Sequence, residues 1–231
     1  IKFRLFSLLD KNISVSKIGL DGAVVHLHRD STGKHMNLTD LFKSSQTTKP
    51  VADTAIKPFT WNINLDELAL TKTDFRYLDE KSHTDVKVFV PSLSMDLKSV
   101  SINNKKIAVR SAVIDGADVS VDLLKRPMGP PDDSIMHVQF MVGGLQVNFE
   151  KFALTNTHFR LTDHNNDTIL PKGIDFKHLD ITGINLLAEN GSVEGDSVVA
   201  QVTKLTAKDR SGFELKNLTT TARVSVTDIT L

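Results

Sequence analysis

The chain has 231 residues, 40% hydrophobic and 24% charged, a composition that is typical of a folded protein and excludes a disordered one. Its 28 Lys and Arg residues balance 28 Asp and Glu residues, and without a basic stripe nucleic acid is excluded as the main partner. Cysteine is absent, which excludes disulfide bonds, and no apolar run approaches the roughly 18 residues of a membrane-spanning helix.

Apolar and polar residues alternate with a period of two along most of the chain, which predicts half-buried β-strands. Because both ends are still alternating, we expect the chain to be a segment of a longer protein. We predict one continuous β segment over 1–231. Its repeat units cover approximately 12–42, 61–98, 105–124, 136–187 and 198–231, and the polar stretches 43–58 and 125–134 are predicted loops.

The first unit contains two apolar stretches separated by Asp21-Gly22, a pair typical of a two-residue hairpin turn. A single short helical turn is predicted to follow, with Asn37 as its cap. His26 and His28 would share a strand face, but no third ligand is evident. We therefore interpret them as surface residues and predict no metal site.

A gapless internal repeat is the strongest organisational feature. Residues Asn64–Asp79 align on Asn148–Asp163 with eight of sixteen positions identical. The polar pairs Lys72-Thr73 and Asn156-Thr157, like the Asp-Gly pair at 115–116, predict tight turns between two strands.

The alternation changes phase at Asp66-Glu67 and at Gly143-Gly144. An extra residue at such points restores the facing of the side chains, so we predict β-bulges there.

Motifs that carry chemistry are scarce. Asp163 to Asp167 spaces its oxygens like the start of a calcium loop, but Thr168 replaces the expected Gly and no Glu closes it, which favours a polar hairpin turn. There is no Gly-x-Ser-x-Gly sequence and no recognisable pair of catalytic carboxylates. We predict that the chain is not an enzyme and needs no cofactor.

The units resemble those of AsmA-like envelope proteins, and most closely the TamB-type proteins of Bacteroidetes. The resemblance rests on Lys17 to Asp30, followed by Gly33 and Asn37-Leu38, and on Trp61 to Glu80, followed by 86–97 and 107–121. The membrane anchor and the conserved C-terminal region of that family have no counterpart in this sequence.

The resemblance implies a long, curved antiparallel sheet, built from strand-turn-strand units and open along one side like a trough. It would bridge the periplasm between inner and outer membranes, anchored to the inner membrane by a segment not present here, and would conduct phospholipid. The side chains predicted to line this groove are Ile63, Leu65, Leu68, Leu70, Phe75, Tyr77, Val86, Val88, Leu93, Met95, Leu97, Val138, Phe140, Leu145, Val147, Phe149, Phe159 and Leu161.

Two alternatives remain open, because the same alternation also describes the core of a closed sandwich. One is a scaffold that adds strands of an outer-membrane barrel protein to its sheet edge. The other is an extracellular β-sandwich for adhesion or glycan binding, for which few aromatic residues are available besides Trp61 and Tyr77.

Overall fold

The computed structural model describes residues 12–37, 62–101, 104–126, 145–195, 197–225 and 229–230. Their strands form one 11-stranded sheet, which confirms the predicted all-β class. The strands are β1 (Asn12–Asp21), β2 (Val24–Arg29), β3 (Asn62–Asp79), β4 (Thr84–Ser101), β5 (Lys106–Asp115), β6 (Asp118–Leu123), β7 (Gln146–Asp163), β8 (His178–Glu194), β9 (Ser197–Asp209), β10 (Glu214–Val224) and β11 (Ile229–Thr230).

The sheet was predicted to be antiparallel, and this was wrong in part, because four of its strand pairs are parallel. β1 and β2 both pair with β3 in parallel, and β5 and β6 both pair with β7 in parallel. The remaining pairs, from β3–β4 to β10–β11, are antiparallel. Parallel neighbours need a long crossover. The chain therefore returns to the starting end of the sheet after β2, and again after β6, before the 18-residue strands β3 and β7 begin.

The predicted hairpin turns at the four polar pairs were also wrong. β1 and β2 lie end to end along β3, so the chain does not reverse at Asp21-Gly22, and β5 and β6 lie end to end between β4 and β7. Lys72 and Asn156 lie inside β3 and β7, with φ of 50° and 52°. Asp-Gly and similar pairs supply the positive φ that a tight turn requires, but here the strands continue in the same register on both sides of them, and of the strand pairs that contain them only β7–β8 shifts register there.

These positive-φ positions stand side by side and, with Pro91, cross the sheet as one line, which we call the bulge line because it ends at the register shifts between β7 and β8. Gly22 N–H donates to Thr71 O at 2.9 Å, and Gly116 N–H donates to Thr155 O at the same distance. Pro91 lies opposite Lys72, and Gly183 (φ 59°) continues the line in β8. The bulge line consists of Gly22, Lys72, Pro91, Gly116, Asn156 and Gly183.

At the bulge line the side-chain alternation shifts by one residue. In β3, Leu70, Thr73 and Phe75 are sheltered, whereas Thr71, Lys72 and Asp74 are exposed. Because neighbouring strands change phase at the same position, the register is kept and the apolar side chains of each strand stay on one face above and below the line. The repeat therefore preserves a single apolar face along strands that are 18 residues long.

Leu65 and Leu68 pack against the same cluster, as the predicted phase shift at Asp66-Glu67 requires, but β1 and β3 stay in register there and show no bulge. That cluster is centred on Leu97, Val109 and Ala112, the last two of which belong to β5. The other predicted shift, at Gly143-Gly144, lies outside the described residues.

Polar contacts join the segment after β2 to the backbone of that strand. The Asn37 side chain accepts a hydrogen bond from His28 N at 3.0 Å and donates one to His26 O at 2.7 Å. Asn37 thus binds the edge of β2, and the predicted helical turn beyond it falls outside the described residues. His28 lies on the surface, with its ring nitrogen Nε2 at 2.9 Å from Glu80 Oε1.

Candidate functional site

One face of the sheet carries a continuous row of branched aliphatic side chains, which we call the leucine row. Each member is the direct cross-strand partner of the next, so all of them point to the same side. The row crosses eight strands. Its members, from β1 to β10, are Leu20, Leu70, Leu93, Ile114, Leu154, Leu186, Leu205 and Leu218.

Similar rows flank the leucine row. The one nearer the start of β3 contains Ile18, Leu68, Met95, Ala112, Phe152, Ala188 and Val202. The one beyond the bulge line contains Val25, Phe75, Val88, Val119, Phe159 and Ile181. No charged side chain interrupts these three rows, which together form what we call the apolar face.

The apolar face is only partly sheltered by its own neighbours. Of the hydrophobic residues that the structure describes, only Leu97, Val109, Val202 and four alanines are buried. Extensive contacts between described strands join only hydrogen-bonded neighbours, so no second layer of described residues covers this face. A sheet of this size would ordinarily bury such a face against helices or another sheet.

A close aromatic contact on this face joins β7 and β8. The Phe149 ring lies directly over Gly191, where an added Cβ would come within 1.9 Å of the ring. The Phe152 ring is 5.8 Å from that of Phe149, centroid to centroid. Gly191 is therefore required for Phe149 to lie flat against β8.

The structure places most of the predicted groove residues on the apolar face, where they are half-buried or, for Leu97, buried. Val138 and Phe140 lie outside the described residues, as does the side chain of Ile63, and Leu145 immediately precedes β7. Whether lipid contacts any of them stays a prediction. Those in described positions are Leu65, Leu68, Leu70, Phe75, Tyr77, Val86, Val88, Leu93, Met95, Leu97, Val147, Phe149, Phe159 and Leu161.

Residues of seven further strands were missing from that set, although they belong to the same rows. Their signal was present in the sequence, because Val119 and Val121 alternate as clearly as Val86 and Val88 do. The members omitted include Ile18, Leu20, Ile114, Val119, Ile181, Leu186, Leu205 and Leu218.

The opposite face is polar and carries cross-strand ion pairs. Arg76 contacts Asp85 through two hydrogen bonds of 2.9 and 2.8 Å, and this contact, with Lys87 nearby, holds the pKa of Asp85 below its ordinary value. Asp85 is itself buried beneath these side chains, whereas the exposed pairs on this face add little stability each and mark the side of the sheet that faces water. Others are Lys17–Glu67, Lys98–Glu150, Arg110–Asp96 and Arg160–Asp118.

The connection between β7 and β8 is organised by a buried carboxylate. The predicted polar turn begins with Asp163, which accepts a hydrogen bond from Asn165 N at 3.0 Å. Asp175 then accepts hydrogen bonds from Leu170 N, Lys177 N and the His178 ring. The bond from Leu170 N, reinforced by the others, lowers the pKa of Asp175 to about 2.

No group of three or more His, Cys, Asp or Glu residues in the described parts of the chain could hold a metal ion. Within the same ranges there is no helix of the length and hydrophobicity needed to cross a membrane.

Comparison with known proteins gives one match. The model of the AsmA family matches residues 1–209, which is most of the chain, and this family is associated with envelope- and lipid-related assembly. No curated protein and no solved structure matches the chain. An all-β sheet with one apolar face agrees with this match, and the chain belongs to the AsmA family.

Proposed function

We propose that the chain is a non-enzymatic, lipid-conducting segment of a TamB-type AsmA protein. In this proposal the apolar face holds the acyl chains of phospholipids while the headgroups remain in water. The segment acts in the periplasm, between an inner membrane to which the longer protein is anchored and the outer membrane. The observation that carries the proposal is the leucine row, which runs unbroken across eight strands.

The size of the apolar face suits this task. Strands are about 4.8 Å apart, so the seven spacings of the leucine row extend over roughly 34 Å. A phospholipid carries roughly 30 methylene groups, and exposing them to water costs on the order of 20 kcal/mol at about 0.8 kcal/mol each. An apolar surface of this length, running across the strands, removes most of that cost for a lipid that moves along it.

A closed sandwich is less well supported. It requires two sheets that face each other, whereas all described strands belong to one sheet. The exposed aromatic platforms expected of a glycan-binding protein are also few, since the chain has one Trp and one Tyr.

Two phenylalanines on opposite faces provide a direct test. Phe159 lies on the apolar face between Val119 and Ile181, whereas Phe89 is 39% exposed on the polar face between Asp74 and Asp118. Each can be replaced by the photoreactive p-benzoylphenylalanine, which keeps the phenyl ring and adds a benzoyl group that reacts with nearby C–H bonds. After incubation with phospholipid vesicles and irradiation, we expect lipid adducts at position 159 and not at position 89.

Native mass spectrometry of the detergent-free protein complements this experiment, because bound phospholipid adds a defined mass. Leu93→Glu, which places a charge in the leucine row, should reduce the lipid bound, whereas Ser94→Glu on the polar face should not. Equal photoadducts at positions 89 and 159, or an unchanged lipid load in Leu93→Glu, would contradict lipid binding by the apolar face.

A further inference from the structure

The first repeat unit (β1 to β4) and the second (β5 to β8) are equivalent strand by strand, but the apolar face ends differently in them. At the end where β3 and β7 finish, Arg29 lies opposite Asp79 in the first unit, and Leu123 lies opposite the equivalent Asp163 in the second. Arg29 is two residues beyond Leu27 and therefore shares its face. The last apolar row before Arg29 consists of Leu27, Tyr77, Val86, Val121 and Leu161.

The turn that follows β2 brings a second cation beside Arg29. Gly33 has φ of 71°, and its N–H donates to Asp30 O at 2.9 Å. A Cβ at Gly33 would lie 2.4 Å from Lys81 Cδ and 3.0 Å from Arg29 Nη2, so both side chains pass over this glycine. The absence of a side chain at Gly33 thus allows the two cations to lie close together.

Hydrogen bonds hold this arrangement in place. Glu80 N–H donates to Arg29 O at 3.0 Å, and the Glu80 carboxylate accepts a hydrogen bond from Ser31 N at 3.1 Å. Arg29 Nε donates to Gly33 O at 3.1 Å, and Arg29 Nη1 donates to the buried Asp79 at 3.3 Å. The two connections that carry Arg29 and Lys81 are therefore joined before any ligand binds.

Both cations keep donors that can bind a ligand. Among the described residues, Arg29 Nη2 and the ammonium group of Lys81 have no hydrogen-bond or ion-pair partner. Lys81 is exposed, and the Arg29 side chain is 33% exposed. The carboxylates of this end are already engaged: Asp79 with Arg29, Glu80 with His28 and Ser31, and Asp30 with Thr32 and His35 N.

Resting on the proposed function, we propose that Arg29 and Lys81 bind the phosphate group of a phospholipid whose acyl chains lie on the apolar face. A guanidinium group can donate to two phosphate oxygens, and an ammonium group adds a compact positive charge. Because the pair adjoins the row of Leu27 and Tyr77, a lipid held there lays its chains on apolar side chains while its phosphate stays in water. With Leu123 at the position of Arg29, the second unit lacks this cation.

A competition between two lipids with the same acyl chains tests headgroup binding separately from chain binding. The whole chain is incubated with equal amounts of dioleoylphosphatidylglycerol and dioleoylglycerol, and the lipids bound to the repurified protein are extracted and quantified by mass spectrometry. Since both offer the same chains to the apolar face, we expect the protein to favour phosphatidylglycerol by about tenfold, the equivalent of one charge-assisted hydrogen bond.

Variants that leave the buried ion pair in place identify the residues responsible. Lys81→Gln removes an exposed charge and should lower the preference about fivefold, whereas Lys81→Arg should retain it. Arg29→Lys keeps a cation beside Asp79 but loses the planar fork, and should lower the preference about threefold. The matched control is Lys125→Gln, which removes a charge that is 71% exposed at the same end of the second unit and should leave the preference unchanged.

Glycerol phosphate, added at the concentration of the lipids, distinguishes a lipid phosphate from a free one. We expect it not to compete, because it has no acyl chains for the apolar face. Equal uptake of the two lipids, a preference that Lys81→Gln and Arg29→Lys leave unchanged, or its loss to glycerol phosphate would overturn the headgroup site while acyl-chain binding stands. Uptake of neither lipid would overturn the proposed function and this inference with it.

Discussion

The two repeat units have equivalent strands, but the connections that follow their 18-residue strands differ. In the first unit, β3 and β4 are joined by 80–83, and Asp79 at the end of β3 is 2% exposed. In the second unit, 164–177 join β7 and β8, and the equivalent Asp163 is only partly buried. The strand scaffold thus tolerates different connections, because its register is set by cross-strand pairing and not by the turn.

The chemistry around the two aspartates explains the difference. Asp79 accepts hydrogen bonds from Tyr77 Oη at 3.0 Å and Ser82 N at 3.1 Å, and Arg29 lies 3.3 Å away. In the second unit the positions of Arg29 and Tyr77 are occupied by Leu123 and Leu161. Asp163 therefore keeps only its local contacts with Asn165.

The largest expected effect follows from that contrast. Asp79→Ala leaves Arg29 and Tyr77 without their buried partner and should lower the free energy of unfolding by about 3 kcal/mol. Asp163→Ala removes only a turn-capping carboxylate and should cost about 1 kcal/mol. Urea denaturation followed by circular dichroism measures both, and equal losses would show that the two ends are held in the same way.

The next largest effect concerns the loss of stability in acid, which should differ between the two units. Asp175, in the second unit, has a pKa of about 2 when folded, below its ordinary value of 3.8. A carboxyl group with a lowered folded pKa stabilises the fold above the unfolded pKa, and this contribution disappears as the pH falls from about 4 towards 2. The protection factors of the amide hydrogens near Leu170 and His178, which are corrected for the intrinsic exchange rate, should therefore fall over this range.

Asp175→Asn provides the control for that prediction. The amide does not titrate, so the protection factors in the β7–β8 connection should depend less on pH between 4 and 2 than they do in the wild type. An unchanged pH profile in this variant would assign the acid sensitivity to other carboxylates, such as Asp79, whose pKa is also lowered. Burial raises the pKa of Asp79, but its hydrogen bonds from Ser82 and Tyr77 outweigh that effect.

The smallest effect concerns equivalent positions in the bulge line. Lys72 has φ of 50°, a conformation that costs a residue with a Cβ about 1 kcal/mol, so Lys72→Gly should stabilise the chain by up to about that amount. Asn156 tolerates this conformation better and donates from Nδ2 to Asp115 at 3.0 Å. Asn156→Gly should therefore be neutral or destabilising, and a gain as large as that of Lys72→Gly in thermal denaturation would contradict this account.

The sequence predicts the strands of this fold better than their partners. Alternation and the gapless repeat identified β3 and β7 and most members of the apolar face, because burial on one face imposes a period of two. The same residues left Asp21-Gly22 and Lys72-Thr73 ambiguous, since positive φ suits both a hairpin turn and a change of phase within a continuous strand pairing. The choice depends on parallel pairing between strands that long crossovers separate, which no local pattern encodes.

The candidate site was only partly predictable for a related reason. Residues such as Leu205 and Leu218 align with Leu70 only when every intervening strand is in register, and short apolar patterns do not determine that register. Whether the apolar face is open likewise depends on which residues lie above the sheet, and the alternation within a strand does not specify those residues.

The parallel pairing within each unit also bears on how the protein is made. Among the described strands, β1 and β2 pair with β3 alone, and β3 pairs next with β4, so the first unit can close before β5 has been synthesised. Chains that are delivered from the N-terminus can then assemble one unit at a time, each finished unit offering β4 as the template for the next. Assembly in this order would limit the time for which newly made apolar surface stays exposed before the next strand pairs with it.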